Sequence, residues 1–499
     1  MLSYDTVLNQ DTFEALAELR DCQVEGRSLV SKRAIKVGEV ILVEKPVLQY
    51  DLLPTCRSSI APHYTPALWQ ELTDLTEEDT LVPGVPAAML AYLRHKDVFR
   101  ADDFYAPTSL NHPTVHTIRA ITAAAKEQLP AYKDVDLEDL RAFVLAIYAN
   151  AHTVAYASSR TQTHIHRKAR RQRADEPIDP RQPRQRICLQ PWGSKFAHAC
   201  APNLFLQYET SQNAMVFRAA RSIQANEVLA FSYLPEDAVS LGGLVCGSVT
   251  SRRAKLDQSK FFICACARCK KEEETQTDND HQYKGLLALA TAVRDNAVNE
   301  EKLGMMEPYC TDVLEQGDVP PAWARATAQS VLAAYHLDLF GQCFGKGLAA
   351  RFGMTLSGLN EALAYLQFLD THIWPANPMP AFFAAWPVLA RVANAVEDGT
   401  QKTVYHTLPR NKPATKTIRQ EDSGASDSDS DSDSDDEGPE VITTTERVPL
   451  PEDWKPPIQS MLVIQDRWIP HVRLVFHALP SPVVDAMLAR IDWIKTRLD

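Results

Sequence analysis

Three cysteines fall within six residues in the run Phe261-Phe-Ile-Cys264-Ala-Cys266-Ala-Arg-Cys269. Thiols this close can wrap one face of a tetrahedral ion, and thiolate sulfur is a preferred donor for structural zinc, at Zn–S distances of about 2.3 Å. A fourth donor must come from elsewhere in the chain. Cys200 is the candidate, because the Ala-Pro-Asn203 that follows it supplies turn chemistry able to hold a ligand rigidly. Arg268, Lys270 and Lys271 stand where they would offset part of the thiolate charge. The expectation is one zinc ion held by Cys200, Cys264, Cys266 and Cys269. The remaining cysteines (Cys22, Cys56, Cys188, Cys246, Cys310 and Cys343) are isolated and read as core or surface thiols.

That reading depends on a reducing compartment. The start of the chain, Met1-Leu-Ser-Tyr-Asp, shows no basic segment leading into an apolar stretch. No apolar run approaches the roughly 20 residues that span a bilayer. An intracellular protein, nuclear or cytoplasmic and without a membrane partner, is therefore expected, and its ten cysteines should be ligands or free thiols, not disulfides. A chain of 499 residues has room for about two to four domains. Its net charge of -12 is local: residues 421–437 carry nine acidic side chains and no basic ones, leaving the rest close to neutral. Arginines concentrate instead at 160–186. Such charge blocks repel themselves and are expected to be disordered.

The elements that position the cysteines alternate in character. Residues 26–50 read as strands, with β-branched runs on both sides of a turn at Gly38. The pattern returns in Arg221-Ser-Ile-Gln-Ala-Asn226-Glu-Val-Leu-Ala-Phe231, where Asn226 stands as Gly38 did and is the next best residue at a left-handed position. Two such hairpins far apart in sequence suggest one irregular β-domain whose ends meet in space. Residues 62–156 read as a helical insert, with Leu137, Leu140, Val144, Ile147 and Tyr148 at helical spacing and Asp134 or Asp136 as a cap. A basic loop follows at 157–190. Residues 283–408 read as a helix stack, tetratricopeptide-like in character but without a clean repeat of about 34 residues. Residues 409–449 read as an acidic disordered linker. Residues 450–499 read as a closing helical segment with Trp468 and Trp493 as packing residues.

In order along the chain stand Gly26-Arg27-Ser28-Leu29, Asn150-Ala-His-Thr-Val154, His198-Ala-Cys200-Ala-Pro-Asn203, Phe231-Ser-Tyr233 and the cysteine run. This succession resembles the SET domain of protein lysine methyltransferases, most closely the SET-and-MYND group and its fungal relatives. The resemblance covers residues 20–272, with the cysteine run at 261–269 as the post-SET segment. It implies an α+β fold: an irregular β-rich SET domain with a helical insert and a zinc-bound post-SET segment, followed by an α-helical domain. It implies S-adenosylmethionine as cofactor beside the zinc, with Glu25, Gly26, Arg27, Asn150, Ala197, His198, Tyr233 and Phe262 around it. Tyr233 would be the catalytic residue, orienting the amine and the methyl group.

Three departures from the family pattern stand in the residues. The MYND module is missing, since Cys56 is the sole cysteine between 23 and 187; Ala197 takes the place of the motif asparagine; and Ser28 replaces the second glycine. The expected function is methyl transfer to lysine side chains of proteins, histones among them, by a monomer. Nucleic acid is a secondary partner through the arginine-rich insert. Two other classes stay open: a SET scaffold that binds without catalysis, and an acidic adaptor acting through its helices and acidic run.

Overall fold

The structure is a computed structural model and describes residues 2–22, 26–53, 64–76, 81–97, 99–100, 103–107, 111–155, 185–234, 243–275, 282–294, 298, 300–315, 322–336, 356–399, 401–407, 441–447 and 449–498. Its β-domain is built from short strands in small sheets. Strands β1 (Ala17–Cys22) and β2 (Gly26–Ser31) pair antiparallel; β3 (Val40–Glu44) flanks β9 (Ala214–Ala219), which also pairs β8 (Leu204–Glu209). In a third sheet, β4 (Leu48–Asp51) and β5 (His152–Ala155) lie on either side of β6 (Gln185–Leu189). The last pair, β7 (Ala197–His198) and β10 (Ala230–Phe231), is parallel and only two residues long.

The two distant hairpins do meet. Ile35 and Ile223 exchange backbone hydrogen bonds, each 2.9 Å long. Gly38 and Asn226 both take positive φ, at 81° and 65°, as the turn geometry requires. Helices Pro66–Asp74, Gly84–His95, Pro113–Gln128 and Leu137–Asn150 lie between β4 and β5 in sequence and share one apolar core with Leu48, Tyr50, Ile187 and Leu189 of the third sheet. Asp136 caps the last of them, its Oδ1 accepting from the backbone of Glu138 and Asp139 at 2.9 Å.

The C-terminal helices pack directly onto this β-domain. Helices Leu356–Phe368, Pro378–Gly399, Lys455–Val475 and Pro482–Leu498 form a core with Trp468 buried at its centre, and that core takes in Ala220, Val245 and Cys246. Arg218 of β9 is fully buried, donating to the carbonyls of Val475 (3.3 Å) and Leu479 (2.6 Å) with its guanidinium 4.6 Å from the Phe476 ring centroid. A cation here is tolerable because carbonyl dipoles and an aromatic face replace water. At Gly38 a Cβ would lie 2.2 Å from the Leu474 carbonyl oxygen, so the turn admits the helix end only as glycine.

Three expected intervals are corrected. The loop read at 157–190 ends in a strand, since Gln185–Leu189 is the central β6. The helical interval to 408 ends in β11 (Gln401–Thr407), and the linker read at 409–449 contains β12 (Val441–Arg447), its antiparallel partner. In each case β-branched or aromatic residues (Ile187; Val404 and Tyr405; Ile442 to Thr445) favour extended backbone, beside charge blocks that mask the signal. The rest of the basic insert, the serine–aspartate run, Glu25, Cys56 and Cys343 lie outside the described residues.

Candidate active site and metal centre

The helix Val249–Lys260 ends at Phe261, a non-glycine residue at φ 63°, and that sharp turn throws the chain into the cysteine run. Cys269 then lies on the next helix, Ala267–Thr275, and Cys200 follows β7. The four sulfurs of Cys200, Cys264, Cys266 and Cys269 all lie within 4.8 Å of one another. The Cys200–Cys269 pair is 3.6 Å apart, far beyond a disulfide at about 2.0 Å. It is close to the roughly 3.8 Å edge of a tetrahedron of sulfurs around zinc. The donor set and its spacing therefore fit zinc.

Four thiolates around a divalent cation keep two negative charges, and the protein answers with arginine. Arg252 is fully buried; it donates to Cys269 Sγ at 3.5 Å, to Glu272 at 2.6 Å and to the Gly247 carbonyl at 2.5 Å. Burial opposes its charge, but Cys200, Glu272 and Cys269 outweigh that and hold its pKa above the ordinary value. Arg268 donates to the carbonyls of Cys200 (3.2 Å) and Leu244 (2.7 Å), tying the two halves of the cluster together. Sequence reasoning found Arg268 by adjacency and missed Arg252. The latter sits in a polar helix without apolar period, so no local signal marks it.

From the cluster a line of contacts runs to Tyr233. His198 Nε2 lies 3.4 Å from Cys200 Sγ, and its Nδ1 accepts the Tyr233 backbone N–H at 3.0 Å. Burial lowers the His198 pKa to about 4, so the ring is neutral. Its ring lies 5.2 Å from that of Tyr233 and 5.9 Å from that of Phe262; Tyr233 and Phe262 meet edge to face at 6.2 Å. The Tyr233 hydroxyl donates to the Phe196 carbonyl at 2.5 Å. Burial raises its pKa, so it stays a neutral phenol.

The residues expected around a cofactor fall into two groups. Ala197 N–H and Ala199 N–H bond to β10 through Leu229 and Phe231. The alternation of a parallel ladder therefore turns the His198 N–H and C=O away from β10, free of the pairing. Gly26 and Arg27 are exposed; Gly26 has φ 66°, and among the described residues no heavy atom lies within 4 Å of where its Cβ would stand, an open approach for a ligand. Asn150, by contrast, is engaged elsewhere: its side chain donates to the carbonyls of Tyr105 (2.6 Å) and Ala146 (2.7 Å), pinning residues 103–107. Free backbone at His198, an open Gly26 and the aromatic ring set fit a cofactor that carries both polar and cationic parts.

Two cations near the site were not foreseen. Lys195 donates to the Asp103 carbonyl at 2.6 Å, and burial, with Arg27 nearby, lowers its pKa to about 8. Lys260 donates to the carbonyls of Ala149 (3.0 Å) and Ala151 (3.5 Å) and lies 5.8 Å from the Tyr233 ring centroid.

Residues 26–234 match the family model of the SET domain. A curated protein of Saccharomyces cerevisiae (strain ATCC 204508 / S288c), the potential protein lysine methyltransferase SET6, is 37% identical over 82 residues. That stretch is 16% of this chain and 19% of the yeast protein, so the match spans about a fifth of its length. Among solved structures, the SET domain of LSMT bound to lysine and AdoHcy aligns at a TM-score of 0.28 and 10% identity, over 77% of this chain and 85% of that one. The chain carries a SET domain. Among the described residues no helix is long and apolar enough to cross a membrane.

Proposed function

We propose that the chain is an S-adenosylmethionine-dependent protein lysine methyltransferase whose SET domain is clamped by zinc. One observation carries the reading: Tyr233 is joined through His198 to the four-sulfur cluster, with Phe262 from the post-SET segment against both rings. The SET-domain match and the name of the yeast relative support it.

Methyl transfer to an amine needs a neutral amine in line with the methyl group, so the protein contributes positioning and exclusion of water. The bound donor supplies an electrophilic methyl group on positively charged sulfur. The proton of the Tyr233 hydroxyl is committed to Phe196, so its oxygen is left to accept from the amine's N–H and to orient it. As a neutral phenol it is not a base, and the amine's proton leaves to solvent. Cys200, Cys264, Cys266 and Cys269 would hold the zinc, which would fix Phe262 against the site.

The acceptor class is a lysine side chain on a protein, with histones among the candidates and nucleic acid a secondary contact. We assign the enzyme to nucleus or cytoplasm, acting as a monomer, with SET-and-MYND affinity but no MYND module and a tetratricopeptide-like C-terminal region. A second reading, a SET scaffold that binds without turnover, is favoured by Ala197, a buried methyl where the family motif has an amide. Calorimetric titration with S-adenosylmethionine tests the proposal. Saturable binding at one site supports it, and absence of binding would end the enzyme reading.

A further inference from the structure

Lys260 closes its helix beside Tyr233 with neighbours suited to an amine that is to react. Its Nζ donates to the carbonyls of Ala149 and Ala151, and the face of the Tyr233 ring covers it at 5.8 Å. Among the described residues no carboxylate pairs with it. The helix end is fixed: Phe261 turns left-handed at φ 63°, and its ring packs 5.0 Å from His112 and 5.9 Å from Tyr148. Two carbonyl acceptors take both N–H groups of a neutral alkyl amine and leave its lone pair free, so for Lys260 the Ala149 and Ala151 carbonyls, in place of the Tyr233 oxygen, orient the amine and Tyr233 contributes its ring face. Burial lowers the Lys260 pKa to about 8, so neutral amine is present near physiological pH.

We propose that Lys260 occupies the acceptor-amine position of the site and is methylated by the chain that carries it. The proposal rests on the lysine methyltransferase reading above. Nζ first gives a proton to solvent. Its lone pair then forms an N–C bond to the methyl carbon of the sulfonium donor as the S–C bond breaks. The sulfonium leaves as a neutral thioether, and the positive charge passes to the methylated ammonium.

The test uses the full-length protein with S-adenosylmethionine carrying a deuterated methyl group, followed by peptide mapping in a mass spectrometer. Label on the peptide bearing Lys260, at a rate per chain independent of protein concentration, supports the inference. Labelling that rises in proportion to concentration means transfer between chains and overturns it. If calorimetry shows the donor bound while Lys260 stays unlabelled, this inference falls and the methyltransferase reading stands; if the donor does not bind, both fall. A second measurement needs no turnover. Lys260→Ala vacates the position, so n-butylamine should bind the variant and not the wild type, seen by calorimetry without methyl donor. Equal binding to both proteins would show that Lys260 does not occupy the acceptor position.

Discussion

The backbone N–H of Tyr233 donates to Nδ1 of His198 at 3.0 Å. An imidazole nitrogen that accepts carries no proton, so in the neutral ring the proton sits on Nε2, facing Cys200 Sγ 3.4 Å away. A sulfur ligand bonded in this way is oriented by its neighbour as well as by the metal. One neutral ring thus sets both the direction of the Cys200 thiol, a proposed zinc ligand, and the backbone position of the proposed catalytic tyrosine.

Cys266→Ser should release the metal. Wild type is expected to carry about one zinc per chain, and the variant should lose it and become cleavable by protease within 261–275. Metal analysis of freshly purified wild type that finds no zinc would sink the assignment.

Tyr233→Phe should abolish methyl transfer while leaving the fold in place. The lost bond to Phe196 costs about 1 kcal/mol, read as a small shift in the thermal midpoint. Transfer at the wild-type rate would show that the active centre lies elsewhere.

Ala197→Asn should tighten S-adenosylmethionine binding about ten- to a hundredfold, since a hydrogen bond to a charged group is worth about 1.5–3 kcal/mol. Calorimetry of the two proteins side by side decides it. Unchanged or weaker affinity would favour the non-catalytic scaffold.

His152 gives a pH dependence. Among the described residues its Nε2 has no hydrogen-bond partner, and burial, with Lys260 nearby, lowers its pKa from 6.5 to about 3. The unfolded chain takes up a proton first, so stability is complete above about pH 6.5 and declines as pH falls toward 3. His152→Phe should flatten that acid limb, because the ring already lies 5.4 Å from Phe231 and 6.2 Å from Phe217. Urea melts at pH 7.5 and 5.0 compare the slopes; equal slopes in both proteins would remove His152 from the account.

Gly38→Ala should destabilise the whole chain by more than about 2 kcal/mol, because it strains a positive φ and drives a methyl group into the Leu474 carbonyl. A denaturant melt within experimental error of wild type would mean that the helix end does not rest on this turn.

What the residues disclosed in advance follows from range. The cysteine run is a short-range pattern, and Cys200 was found through the turn that follows it; both are local chemistry. Asn226 at a left-handed turn is local as well, and so is the helix cap, offered as Asp134 or Asp136 and made by Asp136. The strand β6 was hidden because an arginine-rich block precedes it, and β11 and β12 because a serine–aspartate run separates the partners. Lys260 and Arg252 share a polar helix with no apolar stripe, so their roles come only from what the fold brings to them: Ala149 and Ala151 for one, Cys269 for the other. The seat of Arg218 between Val475 and Leu479 joins residues more than 250 positions apart, and no window of sequence contains both.

The pairing of β11 with β12 has a practical corollary. Thr407 is registered against Val441, so the chain leaves the framework and re-enters it at neighbouring points. Lengthening the chain between such points costs only about 0.6 kcal/mol for each doubling of its length. The stretch between them is therefore a port. A reporter domain whose own termini lie close together is expected to be accepted there without disturbing the SET domain.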